Sequence, residues 1–306
     1  HRGGGYIPYP AFVIPGLWGH GIQFSGGFAH TAYNNVVRGN FLGYEGYNDL
    51  NSTAAGDTIT SNDNYVGFNQ FLDNANAQMD FNGRALNWGS INAIFEQNLC
   101  RGGPSTGTGD GLSTMWRWDN PPRGPQWIIR NHVYAGGGNG QMAMAGGSAG
   151  GAISSIIMYH NTLAGAGTGF YDQASNADRG RIVSRNNIYA TRLQPSDPSV
   201  RAQLHFNVDN PTTYDFDYDM LDSTTKNSAL IRWGLNDWSL AIAGNNGVEV
   251  HGVRGAYSPI DSTRTSAWPA AVTSGSAANV DAGVVIPGIN TQLFGRNRYY
   301  GSAPDI

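Results

Sequence analysis

Two arginines and two histidines occupy related positions along the chain and could carry chemistry. Arg130 and His132 lie in one segment, His160 follows Arg130 by 30 residues, and Arg185 follows His160 by 25. A guanidinium group binds a carboxylate through paired hydrogen bonds, and an imidazole can transfer a proton near neutral pH. Arg130, His160 and Arg185 are therefore candidate catalytic residues. The alternative is an exposed polar row without activity.

Aromatic side chains near these residues could bind a carbohydrate, because flat rings offer an apolar face on which a sugar ring packs. The same rings also commonly close the flank of a folded domain, and the sequence leaves both interpretations open. The candidate substrate-binding residues are Trp116, Trp118, His132, Tyr159 and Tyr189.

Three aspartates alternate with aromatic residues near position 217. Because side chains alternate along a strand, Asp215, Asp217 and Asp219 are predicted to share one face. Carboxylate oxygens on one face could bind calcium, although a complete calcium shell needs about six to eight oxygens. An acidic strand without a metal is the alternative. Calcium is thus a possible cofactor, and the sequence suggests no other.

The composition excludes several classes of protein. Of 306 residues, 13% are charged, 30 are Asn, and Lys226 is the single lysine, which disfavours coiled coils and helical bundles. The net charge of -4 argues against a nucleic-acid partner, and no apolar run is long enough to predict a membrane span. One cysteine, Cys100, cannot form an internal disulfide. Richness in Asn, Gly, Ser and Thr suggests an extracellular protein.

A repeat of 25 to 33 residues positions these side chains. Each copy is a short β-branched or aromatic run that ends in Asn, with an apolar residue two positions later. This pattern is typical of strand, bend and strand. The copies are Val36–Asn40, Tyr65–Asn69, Ile94–Asn98, Trp127–Asn131, Ile157–Asn161 and Ile182–Asn186.

The repeat predicts a solenoid whose coils stack at about 4.8 Å. Asn tolerates the left-handed backbone that a corner needs, and its amide can bond to the same corner of the next coil. We therefore expect an asparagine ladder formed by Asn40, Asn69, Asn98, Asn131, Asn161 and Asn186.

Alternation along the strands predicts which residues face outward. If each ladder Asn points inward, the preceding residue points out, and that row reads Gly39, Phe68, Gln97, Arg130, His160 and Arg185. The residue three before each Asn should also point out. That second row is apolar, so either a bulge shifts the alternation of side chains, or the chain's own loops or a neighbouring subunit cover an apolar stripe. It contains Val37, Val66, Phe95, Ile128, Met158 and Val183.

The segments 127–134, 159–163 and 185–189, together with the tail from 280 to 306, resemble the right-handed parallel β-helix superfamily of pectate-lyase-like proteins. The resemblance implies an all-β fold, a right-handed parallel β-helix of about seven or more coils. We expect that domain at 28–306, preceded by an extension or edge segment at 1–27. Compared with the family, both ends look short, which predicts bare strand edges at both ends.

Three functions compete. The first is an extracellular structural β-helix that assembles with copies of itself through uncapped coil edges and the apolar stripe. The second, implied by the resemblance, is a polysaccharide lyase in which arginine neutralises a uronate carboxylate and an Arg, His or Tyr removes a proton. A hydrolase would need two positioned carboxylates, and no pair shows a diagnostic spacing. The third is a glycan-binding adhesin or spike domain. The sparse acids favour the structural role over an enzyme; if the chain is an enzyme, we expect a polysaccharide lyase.

Overall fold

The structure is a computed structural model of the chain. It describes residues 20–24, 27–28, 31–38, 42–47, 60–62, 65–72, 77–82, 89–91, 93–101, 110–116, 126–135, 142–144, 155–166, 169–172, 181–192, 202–206, 214–222, 230–255, 282–289, 303–304 and 306.

These residues form short strands and one short helix. The helix is α1 (Leu240–Asn245), and no helix in the described part of the chain is long and apolar enough to cross a membrane. The strands are β1 (His20–Phe24), β2 (Gly27–Phe28), β3 (Thr31–Tyr33), β4 (Val36–Arg38), β5 (Leu42–Tyr47), β6 (Thr60–Asn62), β7 (Tyr65–Gly67), β8 (Gln70–Leu72), β9 (Ala77–Asn82), β10 (Gly89–Ile91), β11 (Ala93–Glu96), β12 (Leu99–Arg101), β13 (Asp110–Trp116), β14 (Gln126–Arg130), β15 (Val133–Ala135), β16 (Met142–Met144), β17 (Ser155–Tyr159), β18 (Thr162–Ala166), β19 (Phe170–Asp172), β20 (Ile182–Arg185), β21 (Ile188–Arg192), β22 (Leu204–Phe206), β23 (Tyr214–Asp217), β24 (Met220–Asp222), β25 (Ile231–Trp233), β26 (Asn236–Trp238) and β27 (Val253–Gly255).

Strands from successive repeats lie side by side in parallel sheets. Within the described residues, a seven-stranded sheet has the order β3-β7-β11-β14-β17-β20-β23, and an eight-stranded sheet has the order β4-β8-β12-β15-β18-β21-β24-β27. A nine-stranded sheet runs from β1 to β26, and a three-stranded sheet contains β2, β6 and β10. The all-β prediction with parallel sheets is confirmed. The β1 strand belongs to the segment 1–27 and pairs with β5.

An asparagine ladder connects the repeats at the bend between the seven-stranded and eight-stranded sheets. Asn69 donates from its backbone N–H and its Nδ2 to Oδ1 of Asn98, at 2.9 and 3.0 Å. Asn35 makes the same two bonds to Asn69, at 2.8 and 2.9 Å. Asn161 makes them to Asn187, at 2.8 and 2.9 Å. Each of these amides therefore links one repeat to the next.

Two residues expected in the ladder lie one position too early. Asn131 and Asn186 have φ of 56° and 57°, so they form the bend itself, and the ladder positions belong to His132 and Asn187. The ladder and the bend are adjacent positions that both favour Asn. The sequence pattern therefore could not distinguish the bend residues Asn131 and Asn186 from ladder residues. Asn40 lies outside the described residues, and Asn35 holds the ladder position of its repeat.

The same bend changes which apolar residues lie in the core. Val66, Phe95 and Met158 are fully buried, although we expected them to face outward. The left-handed residue between the strand and the ladder position reverses the alternation of side chains, so the third residue before the ladder points inward. Ile128 and Val183 do lie half-buried on the outer face. They precede the bend residues Asn131 and Asn186 by three positions, and therefore precede the ladder positions by four.

Segments of the same chain cover the C-terminal end of the stacked sheets. Strands β25 and β26 form an antiparallel hairpin, and α1 follows, with Ser239 Oγ accepting a hydrogen bond from the N–H of Ile242. Ala243 and Val248 from this region are fully buried in the main core. The expectation of bare edges is therefore wrong at the C-terminal end. At the other end, β3 and β4 are the last strands of their sheets among the described residues.

His132 is a ladder position that departs from the amide pattern. Its N–H donates to Oδ1 of Asn161 at 3.0 Å, and burial lowers its pKa to about 4 because the charged imidazole is poorly solvated. An amide at position 132 would give the backbone N–H of Asn98 an acceptor, as Asn98 Oδ1 does for the N–H of Asn69. We expect His132→Asn to raise the free energy of unfolding by about 1 kcal/mol, measured by urea denaturation. The matched control, Asn161→His, should lower it; a destabilised His132→Asn variant would contradict this account.

Candidate functional site

The two candidate arginines lie on the outer face of the seven-stranded sheet. The pairing of β14, β17 and β20 places Arg130 beside Tyr159 and Tyr159 beside Arg185. All three side chains are half-buried, and parallel neighbours are about 4.8 Å apart. Arg130, Tyr159 and Arg185 therefore form one outward column, which could present cationic groups on either side of a phenol.

Both guanidinium groups already bind carboxylates of the same face. Arg130 donates to Glu96 Oε2 at 2.6 Å from both Nε and Nη2. Arg185 forms an ion pair with Asp215 and donates to the Asp215 carbonyl oxygen at 2.6 Å. Arg181 pairs with the same Asp215 carboxylate. An acidic ligand would have to compete with these internal partners.

The ion pairs also shift the proton affinities of their neighbours. Burial and the hydrogen bond that Tyr65 donates to Glu96 Oε1, at 2.7 Å, raise the pKa of Tyr65 well above its usual range. Burial opposes ionisation of Asp215, but the hydrogen bonds and charges of Arg185 and Arg181 outweigh it and lower the pKa of Asp215. This face thus holds a neutral phenol and a firmly ionised carboxylate.

The histidines lie elsewhere. His132 is buried in the ladder, and His160 is a bend residue with φ of 55° and 5% exposure. Phe68 and Gln97 are bend residues as well, whereas Gly39 lies outside the described residues. The structure does not bring His160 into the column of Arg130 and Arg185, because the left-handed bend turns its side chain to the corner.

The aromatic residues proposed to bind a sugar also lie in different parts of the structure. Tyr189 is fully buried in the main core, where its hydroxyl contacts Ser184 Oγ at 2.9 Å. Among the described side chains of the set, Tyr159 alone shares the outer column with the arginines. Trp118 and the side chain of Trp116 lie outside the described residues.

The three aspartates do not share a face, which corrects the expected calcium site. Asp215 and Asp217 point outward, whereas the bend at Tyr218 turns Asp219 into the core. Asp217 accepts from the backbone N–H of His251 at 2.6 Å and contacts its Nδ1 at 2.8 Å. In the described part of the chain, no three His, Cys, Asp or Glu side chains converge to hold a metal.

The tail of the chain packs on the outside of the bend. Asn186 donates from Nδ2 to the carbonyl oxygen of Val284 at 2.7 Å and accepts from the Val284 N–H at 2.8 Å. Ile306 joins Ile188 and Met220 in a second apolar cluster on the eight-stranded sheet. Asn186, expected in the ladder, therefore anchors the C-terminal segment instead.

A buried pair of carboxyl groups ends the ladder, and the sequence analysis missed it. Asp219 Oδ1 accepts from the Asn187 N–H at 2.7 Å, and its Oδ2 accepts from Ser184 Oγ at 2.5 Å. Glu249 Oε2 in turn accepts from the Asp219 N–H at 3.2 Å. Continuing the repeat from Asn187 by 32 residues would have found Asp219 in the ladder column.

Burial raises the pKa of both acids. The pKa of Asp219 rises to about 6, because desolvation outweighs the hydrogen bonds that favour its charged form. Desolvation, followed by the charge of Asp219, raises the pKa of Glu249 well above its usual value. The two carboxyl groups are therefore best accommodated when one of them holds a proton.

No family model, curated protein or solved structure matches the chain. The resemblance to pectate-lyase-like proteins thus stays a prediction.

The acid pair predicts how stability depends on pH. In the unfolded chain Asp219 ionises near 3.8, but in the folded chain its pKa is about 6, so the native state holds the proton more tightly. Its contribution to the free energy of unfolding is complete below about pH 4 and is lost as pH rises through about 6. We expect Asp219→Asn to flatten this dependence in urea denaturation from pH 4 to 8. The exposed control, Asp237→Asn, should keep the wild-type slope; an unchanged slope in Asp219→Asn would refute the assignment.

Proposed function

We propose that the chain is an extracellular structural protein, a right-handed parallel β-helix whose copies associate end to end. The parallel order of the sheets and the ladder between repeats support the stacked coils, and parallel crossover connections are nearly always right-handed. Richness in Asn, Gly, Ser and Thr supports an extracellular location.

The position of exposed apolar side chains carries the proposal. Among the described residues, the large apolar side chains that are exposed cluster at the two ends of the stack, apart from Val285 in the tail. At the N-terminal end, Val36 is 67% exposed beside Tyr33; at the C-terminal end, Leu235 is 90% exposed in the β25–β26 hairpin. Exposed apolar patches of this kind mark interaction sites. Phe68, Ile242 and Val250 complete the two end clusters.

The two ends differ, so contact between them is of the head-to-tail type. A head-to-tail contact that does not close into a ring produces an open filament. On the outer face, by contrast, the arginines are paired with Glu96 and Asp215 of the same chain. This internal pairing disfavours a role in which Arg130 and Arg185 hold a substrate carboxylate.

Charge placed at either end should abolish association. We expect Val36→Lys and Leu235→Lys to convert polymers of the wild-type protein into monomers, since a lysine blocks an exposed edge or apolar contact. A mixture of the two variants should form dimers and stop there, because each retains one intact end. Sedimentation velocity and negative-stain micrographs measure both results. Val285→Lys is the matched control, and wild-type protein that stays monomeric at high concentration would refute the proposal.

A polysaccharide lyase is the second candidate, favoured by the placement of Tyr159 between Arg130 and Arg185. Such an enzyme would release an unsaturated uronate, which absorbs ultraviolet light, from an acidic polysaccharide. If this activity exists, Arg130→Ala and Tyr159→Phe should each abolish it, while the tail variant Val285→Lys should retain it. Under the structural proposal, no polyuronate gives the absorbance. Binding to a glycan array without cleavage would instead favour the glycan-binding role.

A further inference from the structure

One side-chain amide holds the C-terminal tail to the bend between β20 and β21. Asn186 donates from Nδ2 to the Val284 carbonyl oxygen at 2.7 Å, and its Oδ1 accepts from the Val284 N–H at 2.8 Å. We name these two bonds the tail clamp. An amide that bonds to both backbone groups of one residue has a fixed orientation, because its oxygen must face the donor and its nitrogen the acceptor. The tail clamp therefore sets the orientation of the Asn186 amide.

The tail approaches this amide closely because residue 283 is glycine. A Cβ on Gly283 would lie 2.9 Å from Asn186 Oδ1 and 2.8 Å from the Pro304 carbonyl oxygen. The Gly283 N–H donates to that carbonyl oxygen at 2.8 Å, which joins the two described parts of the tail. Ile306 lies two residues further along and packs on Ile188 in the second apolar cluster. The tail clamp thus holds a segment that covers part of this cluster.

A buried histidine contacts the same amide. His160 is 5% exposed, and its Nε2 lies 3.4 Å from Asn186 Nδ2. In the orientation that the tail clamp sets, Asn186 Nδ2 is a donor, so His160 Nε2 must accept. A ring nitrogen accepts only when it carries no proton, which requires the neutral imidazole. The closed tail clamp and an uncharged His160 therefore belong together.

A proton on His160 Nε2 would place two donors face to face. Rotation of the Asn186 amide would bring Oδ1 to the charged ring and restore that bond. The same rotation would set Nδ2 against the Val284 N–H and Oδ1 against the Val284 carbonyl oxygen, so both bonds to the tail would be lost. With or without this rotation, the charged ring weakens the tail clamp, since polar groups left facing their own kind cost free energy.

Three described elements flank His160: the neighbouring bends at Asn131 and Asn186, and the tail. Both bends carry neutral amides, and residues 282–289 of the tail have no titratable side chain. Histidine commonly changes its charge between about pH 5 and 8. The titratable residues that directly precede the three bends are Arg130, paired with Glu96, then Tyr159, and Arg185, paired with Asp215.

We propose that His160 is an acid sensor, and that its protonation releases the C-terminal tail from Asn186. The tail is then closed at neutral pH and open in acid, and its release uncovers the apolar side chains of Ile188 and Met220 beneath Ile306. This inference does not depend on end-to-end association. Its sign is also opposite to that of the buried acid pair, which stabilises the fold as pH falls.

Hydrogen exchange of the Val284 and Gly283 amides, followed from pH 7.5 to pH 4.5 and corrected for intrinsic rates, measures the release. We expect wild-type protection of both amides to fall by about tenfold at pH 4.5, because the bonds of the tail clamp are lost. The Leu99 amide donates to the Asn69 carbonyl oxygen within the ladder. Its protection should not fall over this range, which excludes global unfolding as the cause.

Three variants assign the effect. Asparagine at 160 tolerates the left-handed backbone of this bend, with φ of 55°, and cannot take up a proton, so His160→Asn should give equal Val284 protection at both pH values. The matched control is His251→Asn at an exposed histidine, which should keep the wild-type loss. Gly283→Ala crowds the tail clamp and should leave the Val284 amide unprotected at both values, which defines the released state.

Equal protection of Val284 at pH 7.5 and pH 4.5 in the wild type overturns the inference, and so does a His160→Asn variant that keeps the loss. If His160→Asn does not fold, an NMR titration of the His160 ring in the wild type decides the matter. The midpoint of that titration should coincide with the midpoint of the loss of Val284 protection. Two separate midpoints would show that another group releases the tail.

Discussion

The hydrogen bonds of the ladder amides hold the repeats in register. At each bend one residue adopts a left-handed backbone, at a cost of about 1 kcal/mol for a residue other than glycine, and backbone groups beside it are left without partners in their own repeat. The amide of the next ladder residue satisfies them, as Asn98 does for Asn69 and Val66. A change in the register between repeats would leave such backbone groups buried and unpaired, and the free-energy cost of that state is high.

A fixed register decides the chemistry of the outer face. Residues at equal distance from the ladder form columns, so Glu96 must lie beside Arg130, and Arg185 must lie beside the strand that carries Asp215. Residues of opposite charge in adjacent repeats then neutralise one another on a half-buried surface. The outer face therefore looks like a catalytic row when its arginines are viewed alone and like a set of internal ion pairs when their neighbours are included.

The repeat, the parallel sheets and the ladder residues Asn69, Asn98 and Asn161 could be predicted, because a period marked by Asn and flanking apolar residues survives in the sequence. The ladder position could not be separated from the bend, since Asn131 and Asn186 satisfy the bend as readily as Asn69 and Asn98 satisfy the ladder. His132, expected to bind a substrate, is instead a buried residue of the ladder. Contacts between distant segments, such as Asn186 with Val284, leave no periodic signal at all.

When the same hydrogen bonds join each repeat to the next, those bonds do not limit the number of repeats. The N-terminal rung leaves the acceptor of Asn35 and the edges of β3 and β4 at the end of the described sheets, whereas the C-terminal rung replaces the amide by Gly252 and the carboxyl group of Glu249. A carboxyl group in a column of amides changes its charge with pH, which an amide cannot do. The described part of the chain thus ends its ladder with the Glu249 carboxyl group, which accepts from the Asp219 N–H as Asp219 accepts from the Asn187 N–H.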